Sequence, residues 1–312
     1  MAATQECKLS QVASIQLANA PDGTPLVPVK INGNLVNLKL DLNDPFSFLA
    51  SDASAQLKLA QTDSPYMQAP NFLLETVQTK DLVFKGKALV VTVPEMEIGA
   101  LTAQNIQLFS ASGLTTNGEA GGIGLNILAN YDIELDLAKS RLNFFDPNHC
   151  PGQVVYWTHE PVGVVDMQPM PGGTYHYAFN LDGKRIGAFL SADRKETLLA
   201  FPVAREDFNL THTSKDVTPA GTDEQYGSLY RYPFKALDAN GLAISSPEVY
   251  IFGNEYYDKV CDSEFHSRTW DNNGYTCRGD AALKIGLHEL RALHLFFDFS
   301  EKKLYATAAG AN

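Results

Sequence analysis

Two stretches of the chain, LKLDLNDPFSFLA (Leu38–Ala50) and AFLSADRKETLLA (Ala188–Ala200), decide its fold. Each is an apolar strand pattern that stops at a short polar turn and resumes with apolar residues. Gly33 lies eight residues before the turn residue Asp41, and Gly183 precedes the turn of the second stretch by the same distance. The second half of the chain therefore repeats the first.

The repeat continues toward the end of each half. The segment GIGLNILANYDIELDLAKSRLNFF starts at Gly122, and the matching segment LKIGLHELRALHLFFDFSEKKLYAT starts at Leu283. Three matched pairs are 162 positions apart: Gly124 and Gly286, Asp136 and Asp298, Leu142 and Leu304. Asp41 and Ser191 are only 150 apart. We therefore expect two lobes, 1–158 and 159–312, with an insertion of twelve residues in the second lobe, placed in the loop 254–280.

Strand signals dominate both halves, and the helical segments are short. Three hairpins are predicted: Leu26–Ile31 with Leu35–Leu40, Leu82–Phe84 with Ala88–Val93, and Ile133–Leu137 with Arg141–Phe145. The short helices are predicted at Ser51–Leu57, Leu125–Tyr131 and Leu287–Leu293. The sequence therefore predicts a mostly β protein.

The order of these features resembles the bacterial retropepsin-like and pepsin-like aspartic-protease family. In that family each lobe has an apolar run followed by Asp-Thr/Ser-Gly-Ala, and a later apolar-apolar-Gly motif supports that turn. The runs Val36–Leu40 and Ile186–Leu190 match the first motif, and Gly124 and Gly286 lie at the supporting motif. The resemblance implies two β-barrel lobes related by a pseudo-two-fold axis, with Asp41 facing the position of Ser191.

The catalytic turns depart from the family pattern. The mechanism needs two carboxylates about 3 Å apart that share one proton, but the second position is Ser191. A serine hydroxyl cannot act as acid or base in that pKa range. Four further turn positions also differ from the family's threonine and glycine: Leu42, Asn43, Ala192 and Asp193. We therefore interpret Asp41 as vestigial and the chain as a pseudoprotease.

An alternative keeps a pair of carboxylates. A register slip of two residues would bring Asp193 to the position opposite Asp41. The ungapped match of Ala188–Ala200 to the first stretch argues against that slip, because the apolar run would leave the strand.

Three functions remain open. The first is the binding of a peptide or a small apolar ligand in the cleft between the lobes. The second is a divergent aspartic endopeptidase that uses Asp41. The third is an interaction or scaffold protein of the cell envelope. An open apolar cleft would favour ligand binding, and a cleft filled by side chains would favour interaction.

Composition limits the partners. The net charge of −12 argues against nucleic acid and anionic membranes, and no apolar run approaches the length of a membrane span. We expect a monomer without cofactor or metal. His288 and His294 are six positions apart, whereas a zinc-protease helix needs four. The acidic loop Asp258–Asp280 lacks EF-hand spacing, so a solvated loop is favoured over a cation site.

The four cysteines Cys7, Cys150, Cys261 and Cys277 are widely spaced, and we expect a mature chain from which a signal peptide is absent. An even number of separated cysteines is typical of disulfides in an oxidising compartment, so we expect a mature periplasmic or secreted chain. Three pairings are possible. Cys261–Cys277 is favoured because it closes a polar loop, which leaves Cys7–Cys150. Four reduced, buried thiols are the alternative.

Overall fold

The structure is a computed structural model, and it describes residues 8–63, 89–111, 118–170, 173–224, 226–253 and 283–310. Strands make up most of the described chain, as the sequence predicts. The strands of the first half are β1 Gln11–Gln16, β2 Ala18–Asn19, β3 Pro25–Ile31, β4 Asn34–Leu40, β5 Phe48–Ala50, β6 Gln61–Asp63, β7 Leu89–Ile98, β8 Leu101–Ala111, β9 Gly121–Ile123, β10 Asp132–Asp136 and β11 Arg141–Phe145.

The second half has a corresponding set. Its strands are β12 Gly163–Pro169, β13 Tyr175–Leu181, β14 Lys184–Leu190, β15 Thr197–Ala200, β16 Thr218–Asp223, β17 Gly227–Arg231, β18 Ala236–Asp238, β19 Ala243–Ser245, β20 Val249–Gly253, β21 Leu283–Ile285, β22 Leu293–Asp298 and β23 Lys303–Ala308. The helices are α1 Ser51–Gln56, α2 Leu125–Leu128, α3 Phe201–Phe208 and α4 Leu287–Leu290. Helices α1, α2 and α4 confirm the three predicted helical segments, with earlier ends.

Both halves contain the same tight hairpin before their polar turn. Asn32 and Gly33 join β3 to β4 with φ of 48° and 78°, and Asp182 and Gly183 join β13 to β14 with φ of 46° and 78°. Two successive positive φ angles define the type I′ turn, whose twist matches that of the strands, and Asn-Gly and Asp-Gly favour it. Each turn fixes the register of its hairpin, and so fixes where the second strand of the hairpin ends.

The strand order around each polar turn is also the same in both halves. Strand β4 pairs in parallel with β9, and β9 pairs antiparallel with β5. Strand β14 pairs in parallel with β21, and β21 pairs antiparallel with β15. The strand that precedes the glycine, β9 or β21, therefore lies between the strands before and after each turn. This arrangement brings the residues after β4 and β14 against Gly124 and Gly286.

One sheet joins the two halves, in the order β1-β11-β10-β22-β23-β12. Its central strands β10 and β22 pair antiparallel, with Leu135 opposite Leu295. Every residue of both strands is buried, because neither face of this part of the sheet meets solvent. Five ionisable side chains therefore lie out of water: Asp132, Glu134, Asp136, His294 and Asp298.

Some predictions fall elsewhere in the chain. The segment Leu82–Phe84 and the inserted loop 254–280 lie outside the described residues, and the boundary between residues 158 and 159 stays a prediction. The hairpin of Ile133–Leu137 with Arg141–Phe145 is confirmed by β10 and β11. In the described ranges, no helix is both long and apolar enough to cross a membrane.

Candidate functional site

The first-lobe turn starts where β4 ends. The backbone N–H of Asp41 donates to the carbonyl of Ile123 on β9 (3.0 Å). Its carboxylate folds back over the turn, and Oδ1 accepts the backbone N–H groups of Asn43 (2.9 Å) and Asp44 (2.7 Å). A carboxylate that bonds the amides two and three residues later is a stable turn device. The Asp41 carboxylate therefore stabilises its own turn through these two hydrogen bonds.

The second-lobe turn has the same backbone placement. The N–H of Ser191 donates to the carbonyl of Ile285 (2.9 Å), as Asp41 does to Ile123. The register is therefore the ungapped one, and Ser191 occupies the position that matches Asp41. The Ser191 hydroxyl donates to Oδ1 of Asp193 (2.6 Å), so a carboxylate is present in this turn after all, two residues further along.

The other turn residues have simple structural roles. Leu42 and Ala192 are each 1% exposed and belong to the apolar core. They therefore replace polar side chains with core packing. Neither Asn43 nor Asp193 has a positive φ, so neither turn uses the left-handed angles that a glycine would allow.

Gly124 and Gly286 lie close against the backbone of the two turns. Gly124 leads into α2, whose first amide, on Leu125, donates to the carbonyl of Asp44 (2.8 Å), and the amide of Leu287 donates to the carbonyl of Arg194 (2.7 Å). A side-chain hydroxyl caps each glycine amide: Oγ of Ser47 at 2.9 Å and Oγ1 of Thr197 at 2.9 Å. Neither hydroxyl was singled out by the sequence analysis, although each lies six residues after its turn residue.

A lysine connects the two turns across the lobes. Nζ of Lys39 lies 3.3 Å from Oδ2 of Asp193, with the two side chains 18% and 42% exposed. Burial opposes the charge of Lys39, but the carboxylates of Asp193 and Asp41 outweigh it and raise the lysine pKa. Lys39 was also missed by the sequence analysis. A lysine in an apolar strand, two residues before the turn, was the available signal.

The junction of the two turns contains Lys39 and three carboxyl groups, those of Asp41, Asp44 and Asp193. The pKa values of these carboxyl groups are shifted in different directions. Burial and the charge of Asp193 raise the pKa of Asp41. Burial and the charge of Asp41 raise the pKa of Asp44 to about 7. Burial acts in the same direction on Asp193, but the charge of Lys39 and the Ser191 hydrogen bond outweigh it and hold its pKa below the usual value. One carboxylate is thus kept ionised beside two that favour the proton.

The second lobe adds cations next to this junction. Nζ of Lys284 donates to the hydroxyl of Tyr226 (2.6 Å), and the guanidinium of Arg194 lies 4.7 Å from the centre of the same ring. Arg194 also pairs with Asp223. Tyr226 therefore holds two cations in place through hydrogen bonding and cation–π attraction.

Of the four cysteines in the predicted disulfides, only Cys150 lies among the residues that the structure describes. Cys150 is disulfide-bonded, whereas Cys7, Cys261 and Cys277 lie outside the described residues. Both pairings stay predictions.

Comparisons with known proteins concern the fold of the chain. No family model and no curated protein matches the chain. Conglutin gamma, a unique basic 7S globulin from lupine seeds, is 12% identical, with 96% of this chain and 95% of its own covered and a TM-score of 0.51. Basic 7S globulin from soybean is 12% identical over 97% and 99%, also at 0.51. A retropepsin-like aspartic protease from Rickettsia conorii is 20% identical over 45% and 96%, at 0.30.

At such low identity the first two likenesses concern the fold alone. They extend over nearly the whole chain, in agreement with the repeated strand order of its two halves. The chain has a mostly β, two-lobed, aspartic-protease-like fold.

Proposed function

We propose that this chain is a catalytically degenerate aspartic-protease-like protein that binds a peptide in the cleft between its lobes. The observation that carries the proposal is the charge pair of Lys39 and Asp193 beside Asp41. In an active dyad, two carboxylates repel each other until they share a proton. An ammonium group next to one of them supplies the compensation that the proton would give.

The turn side chains favour loss of catalysis as well. Leu42 and Ala192 are packed in the core and carry no side-chain hydrogen bonds that could fix two turns against each other. Catalytic groups need positions held to about 0.5 Å. A site with a lysine bridge in place of that network is suited to binding.

The charges favour a peptide over a small apolar ligand. An apolar molecule placed over Lys39, Asp41 and Asp193 would remove their water without replacing its hydrogen bonds. An extended peptide brings its own amide donors and acceptors to such groups. A basic peptide side chain at the junction would favour the ionised forms of Asp41 and Asp44, whose pKa values are raised there, so peptides with basic side chains are expected to bind best.

The test is a digest and a binding assay on the same preparation. We expect no cleavage of casein or of a synthetic octapeptide library between pH 3 and pH 7. We expect the immobilised chain to retain basic octapeptides, and Lys39→Met to strengthen that retention about tenfold, because a basic side chain of the peptide can then take the place of the ammonium that pairs with Asp193. Lys30→Met removes an exposed lysine that pairs with Glu97 and is the matched control. Equal retention by natural chain and Lys39→Met would contradict the proposal.

A second candidate is an endopeptidase that uses Asp41 and Asp193. The opposite pKa directions of these two groups favour it, because an acid and a base with separated pKa values are what such chemistry needs. It requires no register slip, since Asp193 reaches the junction from its own place in the turn. Cleavage that is lost in both Asp41→Asn and Asp193→Asn would establish this candidate and remove the first.

We also propose that the protein works as a monomer in an oxidising compartment such as the bacterial periplasm, with disulfides Cys7–Cys150 and Cys261–Cys277. Widely separated cysteines in even number support this placement. Thiol titration under denaturing, non-reducing conditions is expected to find no free cysteine. Four titratable thiols in protein from its native compartment would overturn the placement and both pairings.

A further inference from the structure

A buried histidine faces two buried carboxylates in the sheet that joins the halves. Nε2 of His149 lies 2.7 Å from Oδ2 of Asp132, on β10, and 3.7 Å from Oδ2 of Asp298, on β22. The donor atoms of the three residues all lie within 4.8 Å of one another. Both aspartates are 0% exposed, and the histidine side chain is 1% exposed. The cluster is distinct from the turns of Asp41 and Ser191.

The second ring nitrogen fixes what Nε2 can do. Nδ1 of His149 lies 3.2 Å from the carbonyl oxygen of Cys150. A carbonyl only accepts, so Nδ1 must carry the proton and donate it. In the neutral ring Nε2 then presents a lone pair to Oδ2 of Asp132, which is also an acceptor. Two acceptors at 2.7 Å need a positive species between them.

The other carboxylate oxygens are already engaged. Oδ1 of Asp132 accepts the amide of Phe299 (2.8 Å), and Oδ1 of Asp298 accepts the hydroxyl of Ser300 (2.9 Å) and the amide of Glu301 (2.8 Å). Oδ2 of Asp298 is buried without a hydrogen-bond partner. These bonds orient both carboxylates so that their Oδ2 atoms turn to the histidine.

A proton on Nε2 satisfies only part of this arrangement. It would bond Asp132 and leave Oδ2 of Asp298 at 3.7 Å, beyond hydrogen-bond reach. It would also leave two negative charges against one positive charge among fully buried groups, which is costly. A divalent cation with a neutral imidazole balances both carboxylates and engages all three donor atoms.

We propose that Asp132, His149 and Asp298 bind a first-row divalent cation, with Zn²⁺ as the type case. Imidazole nitrogens and carboxylate oxygens are both zinc ligands, and three protein ligands are enough to hold the ion with one position left open; an imidazole whose other nitrogen bonds a carbonyl is the usual ligand form. Bond lengths of about 2.0–2.1 Å in tetrahedral geometry place donor atoms roughly 3.3 Å apart. Small shifts of the 2.7 Å and 3.7 Å distances reach that value. The ion would join one lobe to the other.

This site departs from the expectation of a chain without metal. Its three residues come from a strand in each half and from the segment after β11, so no spacing in the sequence announces it.

The experiment uses the full chain without an affinity tag. Element analysis of protein purified without chelators is expected to find about one zinc, or another first-row divalent ion, per chain. After removal of the ion, Zn²⁺ should raise the unfolding temperature, and Co²⁺ should give visible absorption bands at one equivalent. Asp298→Asn keeps the Oδ1 acceptor and is expected to lower the affinity for Zn²⁺ at least 100-fold.

The control variant is His212→Gln, which removes an exposed histidine and should leave binding unchanged. If Asp298→Asn and His149→Gln bind Zn²⁺ as tightly as the natural chain, the site lies elsewhere and the proposal fails. If the natural chain holds no metal and shows neither a cobalt spectrum nor a temperature shift, the cluster is an imidazolium shared by two carboxylates, and the proposal is overturned. These readouts do not depend on peptide binding.

Discussion

Gly286→Ala is expected to destabilise the protein by about 3–5 kcal/mol, or to abolish its cooperative unfolding transition. A β-carbon at Gly286 would lie 2.3 Å from the carbonyl oxygen of Glu196 and 2.7 Å from that of Lys195. Both contacts are with backbone, so no side chain can move aside to relieve them. The same backbone accepts amides of α4, including the 3.0 Å bond from His288 to Lys195, which would have to break.

The matched control is Gly183→Ala. Gly183 has a φ of +78° but no atom within 4 Å of an added β-carbon, so only backbone strain of about 1–2 kcal/mol is expected. Chemical denaturation of both variants measures the difference. A cost for Gly286→Ala no greater than that for Gly183→Ala would mean that the turn of Ser191 does not pack on the glycine as described.

The second large effect is a loss of stability as the pH rises toward 8. Asp44 has a pKa of about 7 in the folded chain, against an ordinary aspartate value of 3.8. Between these values the folded state binds more protons than the unfolded state, so the free energy of unfolding falls as the pH rises. The loss is complete above pH 7, and three units correspond to at most about 4 kcal/mol. We expect a fall of about 2–4 kcal/mol between pH 4 and pH 8 from this group.

Asp44→Asn should remove that fall. Its Oδ1 can still accept the amide of Phe46, which lies 2.9 Å from the natural carboxylate, so the turn is kept. Urea denaturation at several pH values compares the variant with the natural chain. Asp238→Asn is the control, because Asp238 also accepts a backbone amide in a turn. If the two variants change the pH dependence equally, the effect does not arise at the lobe junction.

These two predictions test two separate properties of the turns, their backbone support and their charge. The glycine motif holds the backbone of each turn, and the turn side chains determine the charge at the junction. Gly286→Ala tests the support without altering a charge, whereas Asp44→Asn alters a charge without altering the support. Independent results from the two would separate the scaffold from the site.

The sequence by itself determined the repeat, the strand-rich fold and the place of the two turns. These features depend on local signals, such as type I′ turn residues at Asn32-Gly33 and Asp182-Gly183, and on offsets that can be counted along the chain. It also predicted that Ser191 holds the place in the second turn that Asp41 holds in the first, because an ungapped apolar run fixes strand register, and the two backbone N–H groups do bond matching carbonyls.

Only the tertiary structure decided how side chains from distant segments meet. Lys39 contacts Asp193, which lies 154 positions away in the sequence. Asp193 therefore brings a carboxylate to the junction from two positions beyond Ser191. The pairing of β10 with β22 likewise places Asp132 and Asp298 beside His149. The physical reason is that charge interactions act through space. The sequence pattern shows which residues alternate along a strand. The packing of one lobe against the other determines which charged side chains lie close together in the interior.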